Sequence, residues 1–529
     1  MLGGTDIWGR GTRKEIWDRY CGFLDLSVDE FVDIQNKLLM EHISLLSKCE
    51  LGRALMRGKT PKNPDEFRKI VPLTEYSFYE PFISNKREDA LPVKPRHWVC
   101  TSGTGGVRKW VPMPPRLYEV LMDLALSMGL IGTAKSRGNF TMRPKDNFFA
   151  AAPPPPYFSG FMVKYGSERC KFRLIPPMDE EYELSDLPAR SARGFKMALE
   201  TGVDLIFALP SVMVRVGEQL GHREKSSQGM PPPKTLFRML RAMVRSRLAN
   251  RPLVPKDIWK LKLCFVSGMD IEAFRDRIIY YWGSNPYEMY AQTEFLGMPA
   301  FQTWTRKAMT PQPYIGFFEF IPESESIKSL YDQSYKPTTC LLNELEAGKS
   351  YEVVFTNFYG GAFARYRPKD MITVVALDDK ETGIKLPQWI FKGRADRLID
   401  LGGFTRMDER TIWLALEDAQ IKYEDWMARK EGEREHPILH VYISTDTKDD
   451  PEVLKARLHT SLKKYDSSYA DLEDMLGWSP LRLTLLPLGV FTRWQEEQVK
   501  AGADPAFVKE QRMQPSDAAA KRILEIAQA

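Results

Sequence analysis

Between about residues 145 and 300, short apolar runs alternate with segments whose apolar residues recur at helical spacing. The apolar runs occupy residues 147–152, 203–209, 261–266 and 287–291. Strands that alternate with helices predict crossover connections and a parallel sheet. Because ligands in such sheets bind beyond the carboxyl ends of the strands, we expect functional residues in the turns that follow these runs.

The two ends of the chain show different patterns. Residues 1–95 have the apolar spacing of helices, which predicts an N-terminal helical layer. After about residue 395 the pattern becomes strand, helix and strand, at 440–444, 451–465 and 481–486. We therefore predict an α/β fold, with a large N-terminal domain of parallel-sheet subdomains (1–394) and a small α+β C-terminal domain (395–529).

The charge of the chain is nearly balanced, with 75 basic and 70 acidic residues and a net charge of +5. This balance creates no global field that demands nucleic acid or an anionic membrane, so any basic patch must be local. Residues 1–15 are too charged for a secretory signal, and the apolar stretch 117–134 is interrupted by Glu119 and Asp123. We predict a cytoplasmic protein without a nucleic-acid or membrane partner, of unspecified oligomeric state.

The cysteines and histidines do not form a metal-binding pattern. Six cysteines lie far apart without a CxxC pair, which predicts buried reduced thiols rather than disulfides or a zinc ribbon. His436 and His440 have helical spacing, but Pro437 and a strand-like run follow His436, which disfavours a two-histidine site on a helix.

The most informative local segment is TSGTGGVRK at 101–109. Its candidate phosphate-binding residues are Thr101, Ser102, Gly103, Thr104, Gly105, Gly106 and Lys109. Glycines allow backbone amides to approach phosphate oxygens, and a lysine adds positive charge. The Walker spacing is absent, because Trp110 follows Lys109 and no glycine immediately precedes that lysine, which disfavours an ordinary P-loop NTPase. Taken alone, the segment is also compatible with a plain surface turn.

Several segments occur in the order of the motifs of the adenylate-forming superfamily. The segment 101–109 resembles its phosphate loop, YAQTE at 290–294 its YGxTE element, and GRAD at 393–396 its GRxD hinge. Residues 67–83, residues 357–370 (which end in RYRPKD), and 489–491 with 502–512 resemble the entry, the TNxxG...RYRxGD element and the GTF...YKxPR ending of the auxin-conjugating acyl-acid amido synthetases. Residues 208–211 are similar to a segment of phenylacetate-CoA ligases. The resemblance covers most of the chain.

The resemblance implies roles for residues around the nucleotide. Glu294 would hold Mg²⁺ against the triphosphate, and Thr293 would donate its hydroxyl to the α-phosphate. Tyr290 and Ala291 would line the adenine site, where Gly268 would give the base close access to the backbone.

The remaining implied roles concern the ribose and the small domain. Asp370 would accept hydrogen bonds from both ribose hydroxyls, and Arg394 would contact ribose or phosphate. Asp396 would be the pivot of a small mobile domain. Lys509 would neutralise charge between the substrate carboxylate and the α-phosphate. Thr293, Arg394 and Lys509 are the expected catalytic residues.

Three residues depart from the family motifs. Ala291 and Lys369 each stand where the family has a glycine, and Gln511 stands where it has a proline. The first two departures restrict the backbone at the adenine site and at the ribose turn. The third weakens the assignment of Lys509.

The resemblance implies an ATP-dependent ligase that forms an acyl-adenylate in domain 1–394 and transfers the acyl group to an amine. Coenzyme A is the alternative acceptor, and a non-catalytic nucleotide sensor is a further alternative. The basic helix residues Arg238, Arg241, Arg245 and Arg247 would suit the 3′-phosphate of coenzyme A, or would simply be solvated. The aromatic residues Phe148, Phe149, Tyr157 and Phe158 predict either an apolar acid pocket or ordinary core packing.

Overall fold

In the computed structural model, the described residues are 11–101, 109–150, 152–185, 187–208, 210–220, 233–266, 271–332, 334–401, 405–432, 438–466, 469–470, 479–501 and 512–528. The chain begins with a helical layer, which confirms the prediction for the described part of residues 1–95. Its helices are α1 (Arg13–Cys21), α2 (Val28–Leu46), α3 (Glu50–Leu55), α4 (Pro64–Ile70) and α5 (Tyr76–Ile83). Capping boxes at Thr12 and Ser27 begin α1 and α2.

A two-stranded hairpin and a large sheet follow the helical layer. The hairpin pairs β1 (His97–Cys100) with β2 (Trp110–Met113). The sheet contains β3 (Asn147–Ala150), β4 (Arg173–Ile175), β5 (Leu205–Ala208), β6 (Leu263–Val266), β7 (Tyr287–Gln292), β8 (Gly297–Gln302), β9 (Met309–Pro311), β10 (Gly316–Pro322), β11 (Ser350–Asn357), β12 (Asp370–Ala376) and β13 (Gln388–Arg394). Among the described residues, its 11 strands have the order β10-β11-β12-β13-β9-β8-β7-β6-β5-β3-β4.

The large sheet has a parallel half and an antiparallel half. Strands β3 to β7 pair in parallel, as the alternating pattern predicts, while β7 to β13 pair antiparallel. The predicted runs end close to the observed strands, although β5 and β6 begin two residues later than predicted. Buried on both faces, β6 has the uniformly apolar sequence typical of a central parallel strand.

Helices cover both faces of the sheet. They are α6 (Pro115–Gly132), α7 (Phe158–Cys170), α8 (Glu180–Leu184), α9 (Leu187–Thr201), α10 (Pro210–Leu220), α11 (Pro233–Leu248), α12 (Pro255–Ile258), α13 (Glu272–Trp282) and α14 (Glu323–Tyr331). One apolar core contains α1 to α7 and most of the antiparallel strands, and a second core lies on the other face of β5 and β6.

The C-terminal part of the chain has apolar cores of its own. It contains β14 (Ile399–Leu401), β15 (Thr405–Met407), α15 (Glu409–Asp418), β16 (Asp425–Glu431), β17 (Ile438–Ser444), α16 (Pro451–Tyr465), β18 (Leu481–Leu486), α17 (Val490–Lys500) and α18 (Asp517–Gln528). Strands β16, β17 and β18 form a sheet between the α15–α16 layer and the α17–α18 layer. The α/β fold class is confirmed. In the part of the chain that is described, every helix is too short or too polar to cross a bilayer.

Candidate active site

The candidate phosphate loop connects the two strands of the β1–β2 hairpin. Its ends are paired, because the Thr101 amide donates to the Lys109 carbonyl at 3.0 Å and the Lys109 amide donates to the Thr101 hydroxyl at 3.4 Å. Strand β1 is fixed from the other side by the Cys100 amide, which donates to the Pro156 carbonyl at 2.9 Å. The hairpin thus holds both ends of the loop beside the proline run.

Tyr76, the first residue of α5, connects this hairpin to the acidic part of the site. Its hydroxyl donates to the Trp110 carbonyl at 3.0 Å, and the Lys109 Nζ lies 5.0 Å from the centre of its ring. Burial raises the pKa of Tyr76 to about 12, and the charge of Glu294 adds to this rise. Lys109 and Glu294 therefore lie on the same side of the molecule, with Tyr76 between them.

Glu294 lies in the turn between β7 and β8, close to the carboxyl end of the last parallel strand. The preceding residue, Thr293, closes the turn by accepting a hydrogen bond from the Leu296 amide at 2.9 Å. The buried side chain of Asn357 donates to the carbonyls of Glu294 at 3.3 Å and Phe295 at 3.1 Å. The backbone of the acidic turn is therefore held from β11, and the Glu294 side chain is left partly exposed.

The carboxylate of Glu294 suits a hard cation. The Tyr366 hydroxyl donates to its Oε1 at 3.4 Å, and burial followed by the charge of Glu294 raises the pKa of Tyr366 well above its usual value. Tyr366 therefore remains a neutral donor that orients the carboxylate. Magnesium is usually held by one or two carboxylates together with substrate phosphates. The described residues contain no group of three or more His, Cys, Asp or Glu side chains that could hold a metal ion.

Asp370, at the start of β12, is nearly buried beside Glu294. Its Oδ2 accepts hydrogen bonds from the Tyr290 hydroxyl and from the Gln292 amide, both at 2.8 Å. The Tyr290 ring stacks on Phe391 with 6.2 Å between the ring centres. Tyr290 is thus a buried support for Asp370, and its predicted contact with adenine stays a prediction.

The alanine at 291 is accommodated without strain. The pairing of β7 with β8 shifts register between Tyr290 and Gln292, so Ala291 lies in a bulge. Its φ is negative, unlike the φ of nearby Leu296, which is +57°. A glycine is therefore not required at this point of the backbone.

Arg394, at the end of β13, pairs with Asp396 in the following turn. Its Nε and Nη2 donate to the two carboxylate oxygens of Asp396 at 2.9 and 2.7 Å, and its Nη1 lies 3.9 Å from the Asp370 Oδ1. Burial lowers the pKa of Arg394, but the Asp396 hydrogen bond and the charges of Asp370 and Glu294 raise it further, so the net pKa lies above its usual value. Arg394 is the cation next to both acids.

The RYRPKD turn (365–370) is fixed by two buried ion pairs. The Arg365 guanidinium donates to both oxygens of Glu319 on β10, at 2.9 and 2.8 Å. The Arg367 guanidinium donates to both oxygens of Glu352 on β11, at 2.7 Å each. The side chains of both glutamates are fully buried. These pairs position Asp370 at the end of the turn.

Lys369 takes the position of the family glycine and adopts its backbone conformation. Its φ is +67°, a left-handed region that costs a non-glycine residue free energy. The side chain pairs with Glu75 at 2.8 Å, immediately before Tyr76, and the Lys369 carbonyl accepts from the Ala395 amide at 2.7 Å. Lys369 therefore connects α5 to the segment at 393–396.

Some predicted site residues fall outside the described ranges. They are Ser102, Gly103, Thr104, Gly105, Gly106, Gly268 and Lys509. The structure brings together Thr293, Glu294, Asp370 and Arg394 around Tyr366, and it places Thr101 and Lys109 across Tyr76.

Two further predictions are better explained by structural roles. Arg238 donates to the carbonyls of Ala198 and Leu199 at the end of α9, and Arg245 donates to the Asp257 carbonyl at 3.3 Å. The aromatic residues near the proline run do not share a pocket. Phe148 packs in the first core, Phe149 lies on the opposite face of β3 in the second core, and Tyr157 and Phe158 are buried.

Two segments of the chain match known family domains. Residues 22–148 match the GH3 family N-terminal domain, and residues 309–387 match the GH3 family central domain. The resemblance to the acyl acid amido synthetases is confirmed. Jasmonoyl-L-amino acid synthetase GH3.5 of Oryza sativa subsp. japonica is 26% identical over 230 residues, covering 40% of this chain and 38% of that protein. Jasmonoyl-L-amino acid synthetase JAR6 of Nicotiana attenuata is 34% identical over 107 residues, covering 20% of this chain and 17% of that protein.

Solved structures share the fold over nearly the whole chain. The AtGH3.15 acyl acid amido synthetase in complex with 2,4-DB has a TM-score of 0.67 at 15% identity, covering 99% of this chain and 97% of that one. An open conformation of 2-hydroxyisobutyryl-CoA ligase has a TM-score of 0.54 at 16% identity, covering 92% of each chain. At this identity the likeness concerns the fold. The sequence match to the curated rice relative spans 38% of that protein's length.

The sequence analysis missed the residues that support the site. Tyr76, Asn357 and Tyr366 connect its parts, and Glu319 and Glu352 fix the RYRPKD turn. Tyr76 lies within 67–83, and Asn357 and Tyr366 lie within 357–370, two segments that resemble family motifs. Glu319 and Glu352 are single acidic residues within otherwise largely apolar strands. Such an acid is rarely buried unless it is paired, so it indicates a buried basic partner.

Proposed function

We propose that this protein is an ATP-dependent ligase that activates a carboxylic acid as an acyl-adenylate and then transfers the acyl group to the amine of an amino acid. In this proposal, domain 1–394 binds ATP and the acid, and domain 395–529 is the small mobile domain. The family domains and the amido synthetase relatives support an amine acceptor.

The observation that carries the proposal is the grouping of Glu294, Asp370 and Arg394 on the side of Tyr76 opposite Lys109. Glu294, Asp370 and Arg394 lie near the end of the last parallel strand, where ligands of such sheets bind, and Lys109 lies against the Tyr76 ring beside them. Lys109 and the amides of the loop would contact the triphosphate, and Asp370 would accept hydrogen bonds from the ribose through its Oδ1. Thr101 closes the base of that loop.

In the first half-reaction, a carboxylate oxygen of the acid attacks the α-phosphorus of ATP, and the bond to pyrophosphate breaks. The residues of the chain position the reactants and neutralise charge, each contribution being worth up to a few kcal/mol, so no covalent protein intermediate is required. Thr293 would donate its hydroxyl to the α-phosphate. Glu294 would hold Mg²⁺, which supplies charge neutralisation at the phosphates when bound.

In the second half-reaction, the amine nitrogen attacks the acyl carbon, the carbon–oxygen bond to AMP breaks, and the amine proton passes to solvent. We propose that the small domain turns about Asp396 between the two steps, as lid-type motions do in other enzymes. The exposed Arg394–Asp396 pair suits such a pivot, because breaking it costs little. Lys509 would serve the first step, at the carboxylate and the α-phosphate.

Carboxylate-dependent exchange of labelled pyrophosphate into ATP tests the proposal. We expect exchange with at least one acid from a panel of apolar and aromatic carboxylates, and Lys109→Ala is expected to slow it about 100-fold or more. Lys59→Ala, at an exposed lysine away from the site, is the matched control. If the chain binds ATP but shows no exchange with any acid, it is a nucleotide sensor and the proposal is wrong.

The acceptor is tested separately with a panel of amino acids against coenzyme A. We expect an amide product and AMP with an amino acid. Product formation with coenzyme A alone would identify an acid-CoA ligase, for which Arg241 and Arg247 are the remaining candidates for the 3′-phosphate. Two of the four arginines considered for that role instead contact backbone carbonyls, which favours the amine.

A further inference from the structure

Helix α11 (Pro233–Leu248) exposes an unusually apolar face to solvent. Its exposed apolar residues are Leu236, Phe237, Leu240, Met243, Val244 and Leu248. Phe237 is 69% exposed and Leu248 is 83% exposed, although such side chains are normally buried. Contiguous exposed apolar patches on soluble proteins mark interaction sites. The helix therefore carries a surface that is unused in the described part of the chain.

The helix has three distinct faces. Thr235, Ala242 and Ser246 are buried against the domain, and Ala242 belongs to the core on that side of the sheet. With about 100° between successive residues, the exposed apolar residues and Arg247 fill the next arc, and Arg238, Arg241 and Arg245 fill the third. This apolar arc (Leu236, Phe237, Leu240, Met243, Val244 and Leu248) is called the α11 face below.

The α11 face lies in the most basic helix-length segment of the chain. Residues 233–248 contain five basic residues and no acidic residue, and this equals the net charge of +5 of the whole chain. The rest of the chain is therefore balanced. The sequence leaves room for a local basic patch, and the structure places that patch directly beside exposed apolar side chains.

Charge complementarity identifies the class of partner. A second copy of the chain would bring two acid-free arginine faces together, which is unfavourable. A helix with an exposed apolar face, arginines beside it and a long arginine side chain within it suits the interface of an anionic bilayer, with the apolar side chains among the upper acyl chains and the guanidinium groups at the lipid phosphates. We propose that the α11 face docks this protein reversibly on an anionic lipid surface. Such docking does not span the bilayer and is independent of the proposed ligase activity.

Two arginines would hold the helix and two would contact lipid. Arg238 and Arg245 donate to backbone carbonyls of α9 and of residue 257, so they fasten α11 to the domain. Arg241 and Arg247 are exposed, and their long side chains can reach phosphate groups while their stems lie along the bilayer. A helix fastened on one face presents the other without unfolding.

Co-sedimentation of the full chain with vesicles tests the proposal. We expect binding to vesicles of phosphatidylcholine and phosphatidylserine in equal amounts, at least about tenfold weaker binding to phosphatidylcholine alone, and loss of binding at high salt. The triple substitution Phe237→Gln, Leu240→Gln and Val244→Gln is expected to weaken anionic binding at least about tenfold and to leave pyrophosphate exchange unchanged. Arg241→Gln with Arg247→Gln is expected to weaken anionic binding only.

Matched controls remove apolar or basic groups elsewhere. Val375→Gln with Leu377→Gln removes two exposed apolar side chains of the sheet region, and Lys59→Gln with Lys62→Gln removes two exposed charges. Both are expected to bind like the unaltered chain. The proposal is wrong if the unaltered chain remains in the supernatant with anionic vesicles, or if the controls lose as much binding as the α11 variants. It is also wrong if the chain is a dimer that the triple substitution converts to a monomer, because the α11 face would then bind a second copy.

Discussion

The RYRPKD turn and the Arg394–Asp396 pair both hold charged side chains near Asp370, but they do so in opposite ways. Arg365 and Arg367 are paired bidentately with glutamates that are fully buried. The Arg394 and Asp396 side chains are 37% and 41% exposed. The first region is built to keep one geometry, whereas the second can exchange partners.

The exposure of an ion pair to solvent determines how much the pair contributes to the free energy of unfolding. Removing one member of a buried pair leaves an uncompensated charge and costs about 3–5 kcal/mol, whereas an exposed pair contributes about 0–1 kcal/mol. In the proposed reaction cycle the two regions would have different tasks. The buried pairs would hold the turn that supports the acids, and the exposed pair would break at little cost when the small domain turns.

The substitution Glu352→Gln tests the fixed turn most directly. It leaves the buried Arg367 without a counter-charge, so we expect the free energy of unfolding to fall by about 3–5 kcal/mol. Asp396→Asn, which breaks the exposed pair, is expected to lower it by less than about 1 kcal/mol. Urea unfolding of both variants measures the difference, and equal losses would abolish the contrast between the two regions.

The substitution Glu294→Gln distinguishes a role of Glu294 in stability from a role in the proposed reaction. The turn of Glu294 is held through its backbone by Asn357, so we expect the stability to change by less than about 0.5 kcal/mol. Because the amide cannot hold Mg²⁺ as the carboxylate does, pyrophosphate exchange is expected to fall about 100-fold or more. Raising the magnesium concentration should recover part of the rate. A fall in stability without a fall in exchange would assign Glu294 a structural role.

Acid sensitivity gives a third test of the fixed side. His42 on α2 is fully buried, and its Nδ1 accepts from the Gly360 amide at 3.2 Å, in the loop that leads to the RYRPKD turn. Burial lowers the pKa of His42 from 6.5 to about 3. Below pH 6.5, His42 is therefore protonated in the unfolded chain but stays neutral in the folded chain until the pH approaches 3. Stability is fully present above pH 6.5 and falls with pH by up to about 1.4 kcal/mol per unit until the folded pKa is approached.

The matched variant for this test is His42→Asn, whose side-chain oxygen can accept from the same amide. Its unfolding free energy, measured between pH 7 and pH 5, is expected to depend less on pH than that of the unaltered chain. Identical pH slopes for the two proteins would show that His42 is not the group that limits acid stability.

The sequence predicts which residues lie at the candidate site better than it predicts the contacts that hold these residues in place. Alternating runs predict four of the five parallel strands, all but β4, and the structure brings Glu294, Asp370 and Arg394 together. The antiparallel strands β8 to β13 are missed, because in the described residues only β10 and β11 are separated by an α-helix, α14, so strands and helices do not alternate there. Pairings such as Arg367 with Glu352 connect different strands, and local periodicity does not specify which strands become neighbours.

The hydrogen-bond partners of the site residues also depend on tertiary structure. The sequence does not predict that the Tyr290 hydroxyl donates to Asp370, which is 80 residues away in the chain, and the adenine role of Tyr290 stays a prediction. Lys369 at a glycine position predicts altered backbone freedom, yet the backbone adopts a positive φ with the lysine. The left-handed conformation is unfavourable for a lysine. Surrounding contacts, including the ion pair with Glu75 and the hydrogen bond from Ala395, offset this cost.

Lys369 joins the fixed turn to the movable segment, and its replacement gives the smallest expected effect. A left-handed conformation costs a non-glycine residue about 1–2 kcal/mol. Replacement by glycine removes this cost, but it also gives the unfolded chain more conformational entropy, which cancels part of the gain in stability. Arg57→Gly, at an exposed residue with a φ of +53°, is expected to raise the unfolding free energy by about 0.5–1 kcal/mol. Lys369→Gly also loses the Glu75 pair, so we expect its gain to be smaller by up to about 1 kcal/mol.

Adding Glu75→Gln to each background isolates the ion pair. The substitution should cost up to about 1 kcal/mol in the unaltered chain and nothing in the Lys369→Gly chain. If Glu75→Gln costs the same in both, the pair contributes nothing, and the left-handed turn is held by its backbone contacts alone. The hydrogen bond from Ala395 to Lys369 would then be the connection between the fixed turn and the movable segment.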